Sequence, residues 1–217
     1  MEKLILIGIP VHGNINPEVV ACLISLLAKI NYTAKINFQS NCYVHDARNK
    51  IVSEAINIGA SHLMFIDADT VFPPDGVDTL IERDKDIIGG LYYRRQPPHL
   101  PTINQQEGNS LIIPKTWDKS KPFEVFAVAT GFMLIKTEVF KKIKPPYFYF
   151  GNFHGKAMGE DVYWCWKARR AGFKIWCDPT IELGHIGDYV FGAEDYNAYK
   201  EVIDKEPKKE DVFTGEL

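Results

Sequence analysis

Short apolar strands alternating with helical stretches most constrain what this chain of 217 residues can fold into. Lys3 to Ile9 is a continuous apolar run ending at Pro10, and Leu63 to Ile66 has no helical period. Both read as buried strands, with Ala34 to Phe38 as a further strand between them. The segment NPEVVACLISLLAKI opens as helices do, with Asn16 as N-cap, Pro17 in the first turn and Glu18 favouring the dipole. Asp46 is expected to cap a helix through Ile58, with Ile51, Val52, Ala55 and Ile58 on one face and Gly59 stopping it. A short helix follows near Asp75, and DIIGGLYY returns a strand. Such alternation predicts an α/β fold with a mostly parallel, doubly wound sheet flanked by helices. Ligands of such sheets bind beyond the carboxyl ends of the strands. Pro10 to His12, the segment before Arg48, and Asp67 to Asp69 lie at such ends and should converge.

Residues 96–128 lose this rhythm and read as extended segments and loops. ATGFMLIKTEVF then supplies a small-residue turn, a strand at Phe132 to Ile135 and a helix capped by Thr137. Asp161 to Ala171 is helical, Gly172 ends it, FKIWC is a strand, and DPTIELGHIG closes the core. The length fits one domain over residues 1–204, with a loosely ordered tail at 205–217. A net charge of −3 gives no basic field, which argues against nucleic acid as a partner. Cys22, Cys42, Cys165 and Cys177 show no CxxC spacing and read as reduced thiols. No apolar run is long enough to span a bilayer, so the expectation is a cytoplasmic protein, soluble or peripherally associated with a membrane.

Four local patterns carry chemistry. Asp67 and Asp69 project to one side of an extended chain, where two hard oxygen donors suit Mg2+ or Mn2+; exposed caps before a Pro-Pro turn are the plain alternative. Arg48 and Asn49 stand in a first helical turn suited to phosphate, or Arg48 forms a surface ion pair. Glu160 and Asp161 at a helix start are capping acids, or one is a general base. His185, between glycines in LGHIG, is structural or completes an oxygen-rich metal site. Tyr147, Phe148, Tyr149, Phe150 and Phe153 could stack on a sugar, or form a hydrophobic cover or a partner surface; Arg94 and Arg95 could reach phosphates, with a solvated loop as the plainer reading.

The order of these patterns is more specific than any one of them. ARNKIVSEAINIGASHLMFIDADTVFPPDGV resembles the donor-binding half of glycosyltransferase family 2 and related GT-A enzymes. GFMLIKTEVF resembles that family's segment beside the donor sugar, and GEDVYWCWKARRAGFKIWCDPTIELGHIG its glutamate-aspartate helix and closing histidine. The resemblance implies a GT-A (Rossmann-like, nucleotide-diphospho-sugar transferase) fold, with residues 1–95 binding the nucleotide-sugar and 96–204 forming the acceptor and catalytic half. It implies an inverting, hexosyltransferase-type enzyme that moves a sugar from a UDP- or GDP-sugar to a glycan, lipid or protein hydroxyl. Asp67, Asp69 and His185 would hold Mn2+ or Mg2+, and Asp161 would be the catalytic base with Glu160 beside it. Pro10, His12, Arg48, Asn49, Asp67, Ala68, Asp69 and Gly131 would line the donor. One departure stands out: the family commonly ends its second strand with acids that read the base, whereas NFQSNCYVHD holds none before Asp46.

Two competitors fit part of the pattern. FIDADTV also matches the nucleophile strand of haloacid dehalogenase-type phosphatases, with Asp67 as nucleophile and Asp69 as acid/base. That strand normally comes first in its chain, however, and two strand-helix units precede it here. A non-catalytic nucleotide-sugar- or carbohydrate-binding module would use the cleft but not the carboxylates.

Overall fold

The structure, a computed structural model, describes residues 3–108, 110–153, 156–187, 189–205 and 213–214. The first half runs β1 (Leu4–Pro10), α1 (Pro17–Leu27), β2 (Thr33–Gln39), α2 (Val44–Asn57), β3 (His62–Ile66), β4 (Thr70–Val71), α3 (Gly76–Glu82) and β5 (Ile87–Gly90). It continues with β6 (Ile103–Glu107), β7 (Ser110–Ile112), β8 (Phe123–Val125), β9 (Ala127–Val128), β10 (Phe132–Lys136) and α4 (Glu138–Lys141). Then come β11 (Gly151–Phe153), β12 (Lys156–Met158), α5 (Glu160–Arg170), β13 (Ile175–Asp178), β14 (Gly184–Ile186), β15 (Val190–Phe191), α6 (Ala193–Lys205) and β16 (Phe213–Thr214). Most of the expected loose tail lies outside the described residues; Phe213 and Thr214 pair with β7.

Seven strands form the central sheet in the order β2-β1-β3-β10-β5-β13-β8. β1 runs parallel to β2 and β3, and β13 parallel to β5. β10 is inserted antiparallel between β3 and β5, so the parallel succession expected from the first half is interrupted. The wholly apolar Phe132 to Ile135 belongs at the centre, where both faces are covered. Antiparallel pairing sets the start of β10 beside the end of β3, with Phe132 opposite Ile66. That register carries Gly131 to the carboxylate end of β3. Alternate strand residues feed two cores: Leu6, Leu63 and Phe65 face α2 and α5, while Ile5, Ile7, Met64 and Ile66 face α1 and α3. Each fully buried side chain of this size contributes about 1.5–3 kcal/mol.

Two helix starts differ from expectation. The Asn16 side chain makes no capping bond; its amide donates to the Ala68 carbonyl at 3.3 Å and tethers the β3 exit instead. The second helix begins at Val44 with Tyr43 as N-cap, which leaves Asp46 inside the first turn, where the dipole still favours it. Residues 96–128, expected as extended segments and loops, hold four short strands: β8 edges the central sheet, while β6, β7 and β9 form a second sheet with β16, in the order β16-β7-β6-β9. A three-stranded sheet, β15-β14-β4, pairs His185 with Thr70, and the Ile186 N–H donates to the Asp69 carbonyl at 2.8 Å. This pairing brings the closing histidine to the aspartates.

Candidate active site

A cleft of about 580 Å3 opens at the carboxyl ends of β1 and β3. Pro10, His12, Asp67, Ala68 and Asp69 line it, as expected for strand ends of an α/β sheet. Arg95, Tyr43 and Phe150 line it as well.

Behind the cleft lies a charged cluster. Arg48 is only 3% exposed. Its Nη2 donates to Asp67 Oδ1 at 2.8 Å, and its Nη1 donates to Glu160 Oε1 at the start of α5. The plain expectation of a surface ion pair is therefore wrong, and so is the first-turn placement: with α2 starting at Val44, Arg48 and Asn49 fall in its second turn, Arg48 on the face that meets the core. Burial opposes its charge, but Asp67, Glu160 and Asp161 outweigh that and hold it above the ordinary arginine value. One guanidinium does not satisfy three carboxylates. Burial, with Arg48 opposing, leaves Asp67 above its ordinary value. Burial and then the charge of Glu160 push Asp161 up to about 6. The Val162 N–H donates to Asp161 Oδ1 at 2.7 Å and orients the carboxylate.

Asp69 has different company. His185 Nε2 lies 3.6 Å from Asp69 Oδ2, and Arg95 Nη1 lies 3.3 Å from the same oxygen. Burial would raise the Asp69 carboxyl, but His185 and Arg95 bring it below its ordinary value. His185 Nδ1 is 3.0 Å from the Tyr93 carbonyl. With Nδ1 donating there, Nε2 can meet Asp69 as a proton donor or, with a cation between them, offer its lone pair. A nitrogen and an oxygen so disposed fit two neighbouring ligands of one divalent cation, with the carbonyl fixing the tautomer. The expected third ligand does not join them. Among the described residues no three His, Cys, Asp or Glu side chains converge on a common point, and Asp67 is drawn to Arg48. Asp69 and His185 are thus the pair that fits a cation, with Asp67 held back by its arginine.

Gly131 is required where it stands. Its N–H donates to the Tyr92 hydroxyl at 3.2 Å, and its carbonyl accepts from the Asp67 N–H at 2.9 Å. A Cβ there would fall 2.4 Å from Tyr92 Oη and 3.0 Å from Asp67 Oδ2. Tyr92 is buried, and its hydroxyl is pushed well above its usual range by burial and then by Asp67 and Asp161. It stays neutral and cannot retreat. Gly131→Ala is expected to lower stability by about 1–3 kcal/mol through overpacking, read as a lower denaturant midpoint with unchanged slope.

Asn49 does not line the cleft. Its Oδ1 accepts from the Tyr147 and Phe148 N–H groups at 2.8 and 3.1 Å, and its Nδ2 donates to the Phe148 carbonyl at 2.8 Å. The amide is consumed in holding the aromatic loop. Phe148 is core, edge-on to Phe65 and tilted against Trp164, whereas Tyr149 and Phe150 are half exposed at the rim. Tyr43 is 77% exposed beside them and stacks on His45. Tyr92, Tyr43 and the tether from Asn16 were not foreseen as parts of the site. The only sequence signal for them is their place just after a strand or just before a helix.

The chain matches no protein-family model and no curated protein. Solved structures do match it. A197 from STIV is 21% identical, with a TM-score of 0.62 over 89% of this chain and 91% of that one. The catalytic domain of Drosophila beta1,4galactosyltransferase 7, solved with xylobiose, is 15% identical, with a TM-score of 0.50 over 83% of this chain and 66% of that one. CMP:2-keto-3-deoxy-manno-octonic acid synthetase, complexed with CTP, is 12% identical, with a TM-score of 0.51 over 94% of this chain and 100% of that one. At such identities the likeness is one of fold. The chain has the Rossmann-like, GT-A arrangement that glycosyltransferases and nucleotidyltransferases share.

Proposed function

We propose that the protein is a glycosyltransferase that takes a sugar from a nucleoside diphosphate and passes it, with inversion, to an acceptor hydroxyl. One observation carries the reading: buried Arg48 joins Asp67, at the strand end lining the cleft, to Glu160, at the start of the helix that holds Asp161. Two acid pairs far apart in the chain are thereby linked through one guanidinium, which supports a shared reaction centre. A galactosyltransferase and a CMP:2-keto-3-deoxy-manno-octonic acid synthetase among the fold neighbours support the reading. A phosphatase would need Asp67 free to attack, and here it is paired with Arg48.

The donor would lie along Pro10, His12 and Ala68, with Tyr43 offering a ring face to the base and Tyr149 and Phe150 offering theirs to the acceptor. A divalent cation held by Asp69 and His185 would supply positive charge to the departing diphosphate. Asp161 takes the proton from the acceptor hydroxyl as its oxygen bonds to the anomeric carbon and the bond to the phosphate oxygen breaks. A carboxyl that titrates at about 6 is mostly ionised at neutral pH, yet basic enough to accept that proton. The rate is therefore expected to rise with pH through an inflection near 6, measured as kcat/KM against pH on any sugar nucleotide that turns over. A flat profile between pH 5 and 8 would remove Asp161 from this role.

A further inference from the structure

Arg95, paired with Asp69 and outside the buried cluster, is built into the cleft. Its loop is pinned: the Arg94 N–H donates to the Leu100 carbonyl at 2.9 Å, and His99 Nδ1 lies 2.9 Å from the Arg94 carbonyl. His99 is 3% exposed and stacks on Phe191 with ring centroids 4.9 Å apart. The arginine stem passes close to Gly187, where a Cβ would fall 2.7 Å from Phe191 Cε2 and 3.1 Å from Arg95 Cδ. Arg95 Nη1 also donates to the Ile186 carbonyl at 3.2 Å. The guanidinium remains about half exposed, so a ligand in the cleft can reach it.

We infer that Arg95 is an exchangeable counter-charge, pairing with Asp69 in the unliganded protein and moving to the donor diphosphate once a divalent cation takes Asp69. This rests on the nucleotide-sugar reading above. Two cations cannot both sit on one carboxylate without repelling each other, and the anion that arrives with the metal is a pyrophosphate. Its oxygens match a planar guanidinium fork better than a point charge. A surface ion pair of no consequence is the plain competitor. It leaves unexplained why a pinned loop and a bond to the Ile186 carbonyl hold the arginine over the cleft.

The exchange predicts effects of opposite sign on two ligands, measured by isothermal titration on the full chain. Arg95→Gln should bind Mn2+ alone several-fold more tightly, because a competitor for Asp69 is gone. The same variant should bind UDP or GDP, with Mn2+ present, about tenfold or more weakly, as expected for losing a charged hydrogen bond. Uridine and guanosine, which carry no phosphate, should bind it as they bind the wild type. Arg95→Lys should recover part of the diphosphate affinity. A Gln variant that binds Mn2+ more weakly, or binds the nucleoside diphosphates as well as the wild type, overturns the inference alone. A wild-type protein that binds neither nucleoside diphosphate overturns the functional reading and the inference with it.

Discussion

Asp161→Asn is expected to slow sugar transfer by about 10²–10⁴-fold, the usual worth of a positioned general base. Binding of nucleoside diphosphate should change little, because Asp161 does not line the donor cleft. The same substitution should stabilise the protein. Asp161 is pushed up to about 6 when folded, against 3.8 for an ordinary aspartate, so the fold prefers the protonated form. The stability tied to that proton is complete below pH 3.8 and is lost as pH rises through 6. Asparagine mimics the neutral form and carries no such loss. At pH 7 to 8 the variant should be more stable by about 1–3 kcal/mol, with the difference vanishing near pH 4. Chemical denaturation at both pH values measures it. A variant destabilised at neutral pH would mean that Asp161 is a structural cap.

Arg48→Met should have the largest effect on folding. It removes the cation that Asp67 and Glu160 share and leaves their charges buried beside Asp161. Breaking a buried pair from one side costs about 3–5 kcal/mol. For a chain of this size that lowers Tm by roughly 6–20 °C. Without the arginine the already raised Asp67 and Asp161 carboxyls shift further up, so the deficit should be greatest above neutral pH and shrink on acidification as they take protons. Thermal melts at pH 5 and pH 8 test both the size and the direction. An Arg48→Met protein that melts within a degree of the wild type would show that the cluster contributes nothing to the fold.

The parts of the site legible from sequence were those set by local pattern. Asp67 and Asp69 end an apolar strand, Glu160 and Asp161 open a helix, and each could be placed from its neighbours in the chain. Their partners were not legible. Arg48 and Glu160 stand 112 residues apart, and nothing in either segment announces the other. Asn49 looked like a phosphate contact by its place in a first turn, but the chain folds a loop back onto it, and its amide bonds are spent there. The antiparallel entry of β10 was invisible for a related reason: an apolar strand buried on both faces carries no mark of its direction. His185 was the exception. Its place opposite Thr70 follows from a pairing of two short strands that sequence does not show, yet the flanking glycines marked it.

The central claim is that this cleft breaks the bond between a sugar and a nucleoside diphosphate. The direct measurement is release of UDP or GDP from a panel of sugar nucleotides with Mn2+, in the presence of simple glycan acceptors. The wild type should release it, Asp69→Ala and Asp161→Asn little or none, and the product should have inverted anomeric configuration. Absence of release from every sugar nucleotide, together with phosphate release from small phosphoesters that Asp67→Asn abolishes, would contradict the claim.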